Sequence, residues 1–166
     1  MRRLAPFLLL GWALLLAGCG GWYLRGAVPL PAQLERTHVD GASGTAAMQQ
    51  ALRRGLEGAG ATVVESRDRA TAQLRVVETE EEQRTLAVGA DGRATEYELR
   101  FVVVFEVRDR HGDVLVPEER MVQGRELQFE ADNPLGSGRE AERLQDEMRQ
   151  ALSTAVLRRI NALLRE

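Results

Sequence analysis

Lysine is absent from the chain, so all 22 basic side chains are arginines. Aromatic residues make up only 5% of the sequence, and there are two histidines and a single cysteine. With one cysteine, no disulfide can form within the chain. The 22 basic residues are outnumbered by 25 acidic ones, for a net charge of -3. This balance excludes the broad basic field by which proteins bind nucleic acid without sequence preference.

Two explanations fit the absence of lysine. The first is a genomic bias toward arginine codons. The second is chemical, since the planar guanidinium grips phosphate and carboxylate groups through two hydrogen bonds, which an ammonium cannot do. The composition leaves both explanations open.

Catalytic motifs are also scarce. His38 and His111 each lack a second metal-ligating residue at a suitable spacing. Ser43 in "GASGT" precedes a helix and lacks the glycine spacing of a nucleophile elbow, and no glycine-rich phosphate loop with a lysine exists. The acidic run Glu80–Glu82 is typical of solvated charge. The sequence therefore predicts a protein that is not an enzyme and that holds no cofactor and no metal.

An export signal occupies the start of the chain. Arg2 and Arg3 give it a positive end, and a largely apolar stretch follows from Leu4 to Leu16. This stretch is shorter than the roughly 20 residues that a membrane-spanning helix needs. We therefore predict that residues 1–18 form a signal peptide that is removed.

The single cysteine closes that signal. Leu16-Ala17-Gly18-Cys19 is similar to a bacterial lipobox, in which the cysteine carries acyl chains such as palmitate and becomes the first residue of the mature protein. Each buried methylene contributes about 0.8 kcal/mol, so several chains hold a protein firmly on a membrane. By the same resemblance, Gly20 in place of aspartate implies the outer membrane. The alternative is that Cys19 stays a free thiol or pairs with another chain. Without Arg2 and Arg3, the mature chain has 20 basic and 25 acidic residues, a net charge of about -5.

The mature chain reads as a short linker followed by one domain. Residues 19–32, with Pro29 and Pro31, form the lipidated amino terminus and linker, and residues 33–166 form a single α+β domain. Apolar periodicity predicts helices over 45–59 and 139–164. It also predicts strands over 33–39, from 72 onward, over 93–109 and over 114–129, and a short extended piece over 62–64. Asp91-Gly92 is predicted as a hairpin turn, Pro117 at a bulge or edge, and Gly136–Gly138 in a loop. The predicted fold is a two-layer sandwich in which both helices cover one face of a four-stranded mixed sheet.

The segment "RATEYELRFVVVFEVRD" has the clearest pattern in the protein. Tyr97, Leu99 and the odd-numbered residues to Val107 form an apolar face, and the other face mixes glutamates and arginines with Val102 and Val104. Because helices are expected on only one side of the sheet, the mixed face is either a contact surface or an ordinary solvated face.

Four short motifs stand in order along the chain: "CGGWYLRG" from Cys19 to Gly26, Ala94-Thr95-Glu96-Tyr97, Asp132-Asn133-Pro134, and Glu147-Met148. In this order they resemble the LptE family of lipopolysaccharide (LPS) assembly lipoproteins of Gram-negative bacteria, which has one glycine fewer in the first motif. The order of elements agrees with the family over nearly the whole mature chain. The resemblance implies a noncatalytic protein, lipid-anchored on the periplasmic side of the outer membrane.

The resemblance also implies two partners. One is the large LptD β-barrel, which LptE plugs in a one-to-one complex, and the other is LPS, whose delivery to the outer leaflet the complex assists. Carried onto this sequence, the LPS-binding positions are Arg93, beside the Asp91-Gly92 turn, and Arg139, after Gly138. The alternative is a generic periplasm-facing lipoprotein that binds another component of the envelope.

Overall fold

The fold is known from a computed structural model, which describes residues 30–128 and 134–165, with the backbone alone at 134–136. Its helices and strands are β1 (Arg36–Gly41), α1 (Ala46–Gly58), β2 (Thr62–Val63), β3 (Ala72–Val88), β4 (Ala94–Asp109), β5 (Val114–Gln128) and α2 (Pro134–Leu163). Two 3-10 turns, Ala32–Leu34 and Arg67–Arg69, precede β1 and β3.

The strands form one mixed sheet in the order β2-β1-β3-β4-β5. β1 runs parallel to both β2 and β3, whereas β4 pairs antiparallel with β3 and β5. The predicted α+β sandwich, with both helices packed on a mixed sheet, is confirmed. The sheet has five strands instead of the predicted four, because Thr62 and Val63 pair beside Arg36 and Thr37. The extra strand falls on the short extended piece expected at 62–64, which the predicted sheet left out because two or three residues are too few to show the alternation of a strand.

β4 supplies the centre of the core. Its odd-numbered residues face the helices, and Phe105, Val103 and Val107 are completely buried there. They pack against Val39, Leu74 and Val76 of the neighbouring strands, and against Leu52 and Leu56 of α1 and Met148, Leu152, Val156 and Ile160 of α2. The alternation read from the sequence therefore identifies the buried face of the central strand correctly.

β3 and β4 form a hairpin that is paired from Ala72 and Asp109 to Val88 and Ala94. The predicted turn is present, and Gly92 adopts a φ of 76°, which favours glycine. The prediction for Pro117 is also confirmed, since the register slips beside it and β5 is an edge strand. Proline lacks the backbone N–H that a strand residue donates to its neighbour. At a bulge on an edge strand this hydrogen bond is not needed, so proline is tolerated there.

Two predicted boundaries are wrong. The last helix begins at Pro134, so Gly136–Gly138 is helical and not a loop. Proline suits the first helical position, because its φ is already helical and the N–H it lacks would be unpaired there. The first strand begins at Arg36 and not at residue 33, because Ala32–Leu34 forms a 3-10 turn with Leu34 buried in the core.

The second helix contacts the rest of the fold through polar groups as well as through the core. At Gly55 of α1, a Cβ atom would lie 2.8 Å from Leu157 Cδ1, so the two helices approach closely and a larger residue there would force Leu157 to shift. Farther toward the amino end of α2, Arg149 Nη2 donates to Glu81 Oε1 of β3 at 3.2 Å, and the guanidinium lies 5.5 Å from the centroid of the Phe101 ring. Arg149 therefore ties α2 to both hairpin strands.

Candidate functional site

Cys19 lies outside the described residues, as do the predicted signal peptide and most of the predicted linker. In the part of the chain that the structure describes, no helix combines the length and the apolarity that a membrane span needs. The lipid anchor thus stays a prediction from the lipobox alone.

Arg93 lies in the turn between β3 and β4, which its backbone helps to close. Gly89 N donates to Arg93 O at 2.7 Å, and Arg93 N donates to Asp91 Oδ1 at 3.1 Å. The guanidinium is largely exposed, and its Nε lies 3.7 Å from Asp91 Oδ2. Such an exposed pair is weak, so the side chain is free to turn toward an anionic ligand.

Arg139 is exposed near the start of α2. The adjacent carboxylate, Glu140, is engaged by Arg143, whose hydrogen bonds hold the pKa of Glu140 below its ordinary value. Within residues 30–128 and 137–165, Arg139 forms no ion pair. Its positive charge is therefore not neutralised by the nearest acidic side chain.

The fold brings these two arginines to the same end of the molecule. Arg149 contacts Glu81, and Arg139 precedes Arg149 by ten residues, or about 15 Å of helix. Arg159 Nη2 contacts Glu119 Oε1 at 2.9 Å, farther from the β3–β4 turn than the Arg149 contact, so the amino end of α2 points toward that turn. Val88 lies seven residues beyond Glu81 in the same direction, or about 23 Å of strand. Arg139 thus lies beside the distal half of the β3–β4 hairpin, whose turn carries Arg93.

Two apolar side chains at this end were not identified from the sequence. Leu86 is 48% exposed and Val88 is 64% exposed, although both belong to β3. The sequence could have indicated their exposure, because both residues lie between the acidic run and the predicted hairpin turn, away from the predicted core. Exposed apolar groups beside arginines give the hairpin end an amphipathic surface.

Cross-strand ion pairs cover the sheet face opposite the helices. Glu80 Oε2 of β3 and Arg120 Nη2 of β5 are 3.9 Å apart, and Glu82 Oε2 and Arg100 Nη1 are 3.6 Å apart. The hydrogen bond from Arg84, with help from Arg100, holds the pKa of Glu82 below its ordinary value, against a smaller opposing effect of desolvation.

Val102 and Val104 on the same face are buried. Val102 pairs with Glu80 of β3, and Val104 pairs with Arg120 of β5, so a long charged side chain lies beside each valine. The mixed face of β4 is therefore a polar, self-paired surface and not an exposed apolar patch.

The side chains of both histidines form hydrogen bonds within the chain. His38 Nδ1 donates to Val64 O at 2.9 Å, and His111 Nε2 accepts from Arg110 Nε at 3.0 Å. Among the described residues, no group of three or more His, Cys, Asp or Glu side chains could hold a metal ion.

Comparison with known proteins agrees with this architecture. The model of the family LptE, described as lipopolysaccharide-assembly, matches residues 34–160. Curated LptE lipoproteins from Pectobacterium atrosepticum and Photorhabdus laumondii are similar at 31% and 29% identity, with 96% of this chain and 86% and 87% of theirs aligned. The solution structure of lipoprotein B from Nitrosomonas europaea superposes with a TM-score of 0.71 at 28% identity, covering 86% of this chain and 91% of that one. Since the family match spans most of the domain, this chain belongs to the LptE family of LPS-assembly lipoproteins.

Proposed function

We propose that this protein is an acylated lipoprotein of the outer membrane that assembles one-to-one with an LptD-type β-barrel, plugs it, and assists the passage of LPS to the outer leaflet. Membership of the LptE family is the observation that carries the proposal. The lipobox ending at Cys19 supports the anchor, which places the domain on the periplasmic side. In this role the protein scaffolds and delivers but does not catalyse.

The surface of the domain suits the inside of a barrel. The interior of outer-membrane barrels is polar, and the helix-free sheet face offers charged side chains that are already paired with one another. Such a face can be desolvated against a polar wall with fewer unpaired charges than a face of isolated ions would leave. An apolar face of the same size would favour a different partner.

Purification from outer membranes tests the assembly. Full-length protein should recover a large β-barrel in equal amount, identified by mass, and the mature amino terminus should carry acyl chains on Cys19. A Cys19→Ser variant should lose both the acyl chains and the retention in the membrane. Recovery of the acylated wild type only as a free monomer, with barrel assembly intact after its depletion, would instead indicate a lipoprotein serving another envelope component.

LPS binding is proposed at the hairpin end. Arg93 and Arg139 offer exposed guanidinium groups to the phosphates of the lipid A portion, and Leu86 and Val88 offer apolar contacts to its acyl chains. The chain is acidic overall, and its net charge repels an anionic lipid. The attraction to the phosphates therefore has to act locally, within the Debye length of about 8 Å at physiological salt.

Charge reversal tests this site. The double variant Arg93→Glu/Arg139→Glu should weaken LPS association about tenfold or more, since two charge-assisted contacts become repulsive. The control is Arg54→Glu/Arg158→Glu, which makes the same charge change on exposed residues of the two helices, away from the hairpin end. Both variants should retain the wild-type circular dichroism spectrum. Equal weakening in both would show a nonspecific effect of net charge, and unchanged binding in the first would remove both arginines from the site.

A further inference from the structure

A second polar site lies at the opposite end of the helix-free sheet face. A cavity of about 480 Å³ opens there, between the end of β1 and the β4–β5 turn. Three arginines and three other polar side chains line it: Arg67, Arg75, Arg108, Asp40, Gln73 and Glu106. Arg75 precedes Val88 by thirteen residues of β3, which is about 43 Å of strand. The cavity is thus remote from Arg93 and from the proposed LPS site.

The floor of the cavity is a built polar network. Gln73 and Glu106 are each only 7% exposed, although both lie on the face without helices. Glu106 accepts hydrogen bonds from Arg108 Nε at 3.1 Å and Nη2 at 2.9 Å, and Arg108 Nη1 donates to Gly112 O at 3.2 Å. The Arg108 guanidinium is therefore held in one orientation, which makes its positive charge a fixed feature of the cavity.

Two arginines retain donors that no described residue uses. Arg75 is 53% exposed in its side chain, and its single contact with Glu106 is long, at 3.5 Å. Arg67 is exposed on the second 3-10 turn, and it forms no ion pair with any residue in the ranges that the structure describes. A guanidinium has five N–H donors, so most of the hydrogen-bonding capacity of both side chains is available to a ligand.

The carboxylates of the cavity are not available in the same way. Both oxygens of Glu106 accept hydrogen bonds from Arg108, and Asp40 Oδ2 accepts from Gln73 Nε2 at 2.7 Å. Asp40 Oδ1 is buried and accepts no hydrogen bond from any described residue. A cation would therefore find no free, accessible carboxylate oxygen, whereas an anion would find unused guanidinium donors and three positive charges against two negative ones.

We propose that this cavity binds a phosphate group, with Arg67 and Arg75 donating to its oxygens and Arg108 supplying fixed positive charge beside them. Planar guanidinium forks match the geometry of phosphate oxygens, and several can act on one group. The phosphate could be free or belong to a phosphorylated saccharide. The site does not depend on assembly with a barrel or on the arginines at the hairpin end.

Titration followed by nuclear magnetic resonance tests the proposal. The acylated full-length mature protein, in micelles of an uncharged maltoside detergent, is titrated with inorganic phosphate and, separately, with a phosphorylated disaccharide without acyl chains. Both should shift the amide signals of Gly41, Ala42 and Gly112, which border the cavity, and leave Gly92 at the far end unchanged. Tighter binding of the disaccharide would identify a saccharide phosphate as the ligand, and equal affinity would identify free phosphate.

Matched variants complete the test. Arg67→Ala/Arg75→Ala should weaken phosphate binding by about tenfold or more, as expected for the loss of charge-assisted hydrogen bonds. Arg69→Ala, in the same 3-10 turn but not lining the cavity, should bind as the wild type does. Should the double variant fail to fold, the single Arg67→Ala change on the exposed turn carries the test. Absence of local shifts in the wild type, or equal weakening in Arg69→Ala, would overturn the proposal.

Discussion

Glu106 offers the most direct test of how the helix-free face is held together. Its side chain is only 9% exposed and accepts hydrogen bonds from two arginines, whose side chains are 37% exposed (Arg108) and 53% exposed (Arg75). In Glu106→Gln the volume is kept, but the charge is lost and the hydrogen bonds to Arg108 are weakened. A hydrogen bond to a charged group contributes about 1.5–3 kcal/mol. Because solvent screens both arginines, we expect a loss at the lower end, about 1–2 kcal/mol of unfolding free energy at pH 7.

Urea unfolding followed by circular dichroism measures this loss as a lower midpoint at an unchanged slope. Glu82→Gln is the matched control, because Glu82 lies on the same face and also pairs with two arginines, Arg84 and Arg100, but is more exposed. Its loss should be smaller than that of Glu106→Gln, because solvent screens the pairs of Glu82 more strongly. Equal losses in the two variants, or no loss in Glu106→Gln, would refute the idea that burial of Glu106 sets the strength of this cluster.

The pH dependence gives a second reading of the same prediction. The hydrogen bonds from Arg108 hold the pKa of Glu106 below its ordinary value of 4.5, with desolvation opposing and Arg75 assisting. A carboxyl group with a lowered folded-state pKa stabilises the fold fully above its unfolded-state pKa, and this contribution is lost as the pH falls through the folded-state pKa. The gap in stability between wild type and Glu106→Gln should therefore be constant near pH 7 and shrink below about pH 4.5. A gap that widens on acidification would contradict the assignment.

Three further changes test other parts of the fold, each by urea unfolding. Phe105→Ala should cost about 3–5 kcal/mol, because it empties the completely buried centre of β4; a loss below about 1 kcal/mol would contradict the assigned core. Arg149→Ala, at a side chain only 16% exposed, should cost about 1–3 kcal/mol, whereas Arg143→Ala on the exposed side of the same helix should cost clearly less, because its ion pairs are solvated; the reverse order would refute the bridging role of Arg149. Gly112→Ala, at a φ of 94°, should destabilise by about 1–2 kcal/mol, and Gly138→Ala, where a Cβ meets nothing within 4 Å in a helix, should stabilise by about 0.5–1 kcal/mol; the same sign for both would show that backbone conformation does not decide these sites.

Local patterns predicted most elements because their causes are local. The alternation from Tyr97 to Val107 identifies the buried face of β4, since side chains alternate across any strand. Pro117 indicates an edge or bulge because its missing N–H restricts it to such places. The prediction of a loop at Gly136–Gly138 is wrong. Glycine has a low helix propensity by itself, but the remainder of the 30-residue helix overrides that preference.

The same distinction between local and long-range causes applies to the candidate sites. Arg93 is selected through the resemblance to a family, and the structure places it exposed in the turn beside Asp91 and Gly92, whereas its role in binding stays a prediction. The phosphate cavity could not be predicted, since Asp40, Arg67, Arg75 and Arg108 belong to four different segments whose proximity depends on strand pairing. Nothing in the spacing of these residues along the chain indicates that they line one cavity.

The amino-acid sequence by itself determined the periodic elements, the lipobox at Cys19, and the resemblance to a family, because each depends on residues that are close together in the chain. Tertiary structure decided which charged side chains from distant parts of the chain became partners. The pairing of Glu80 with Arg120 across β4, the burial of Glu106 between arginines, and the placement of Arg93 and Arg139 at one end all depend on register and helix docking. Interactions between exposed charges are screened beyond a Debye length of about 8 Å at physiological salt, so charges far apart in the chain interact only where the fold brings them together.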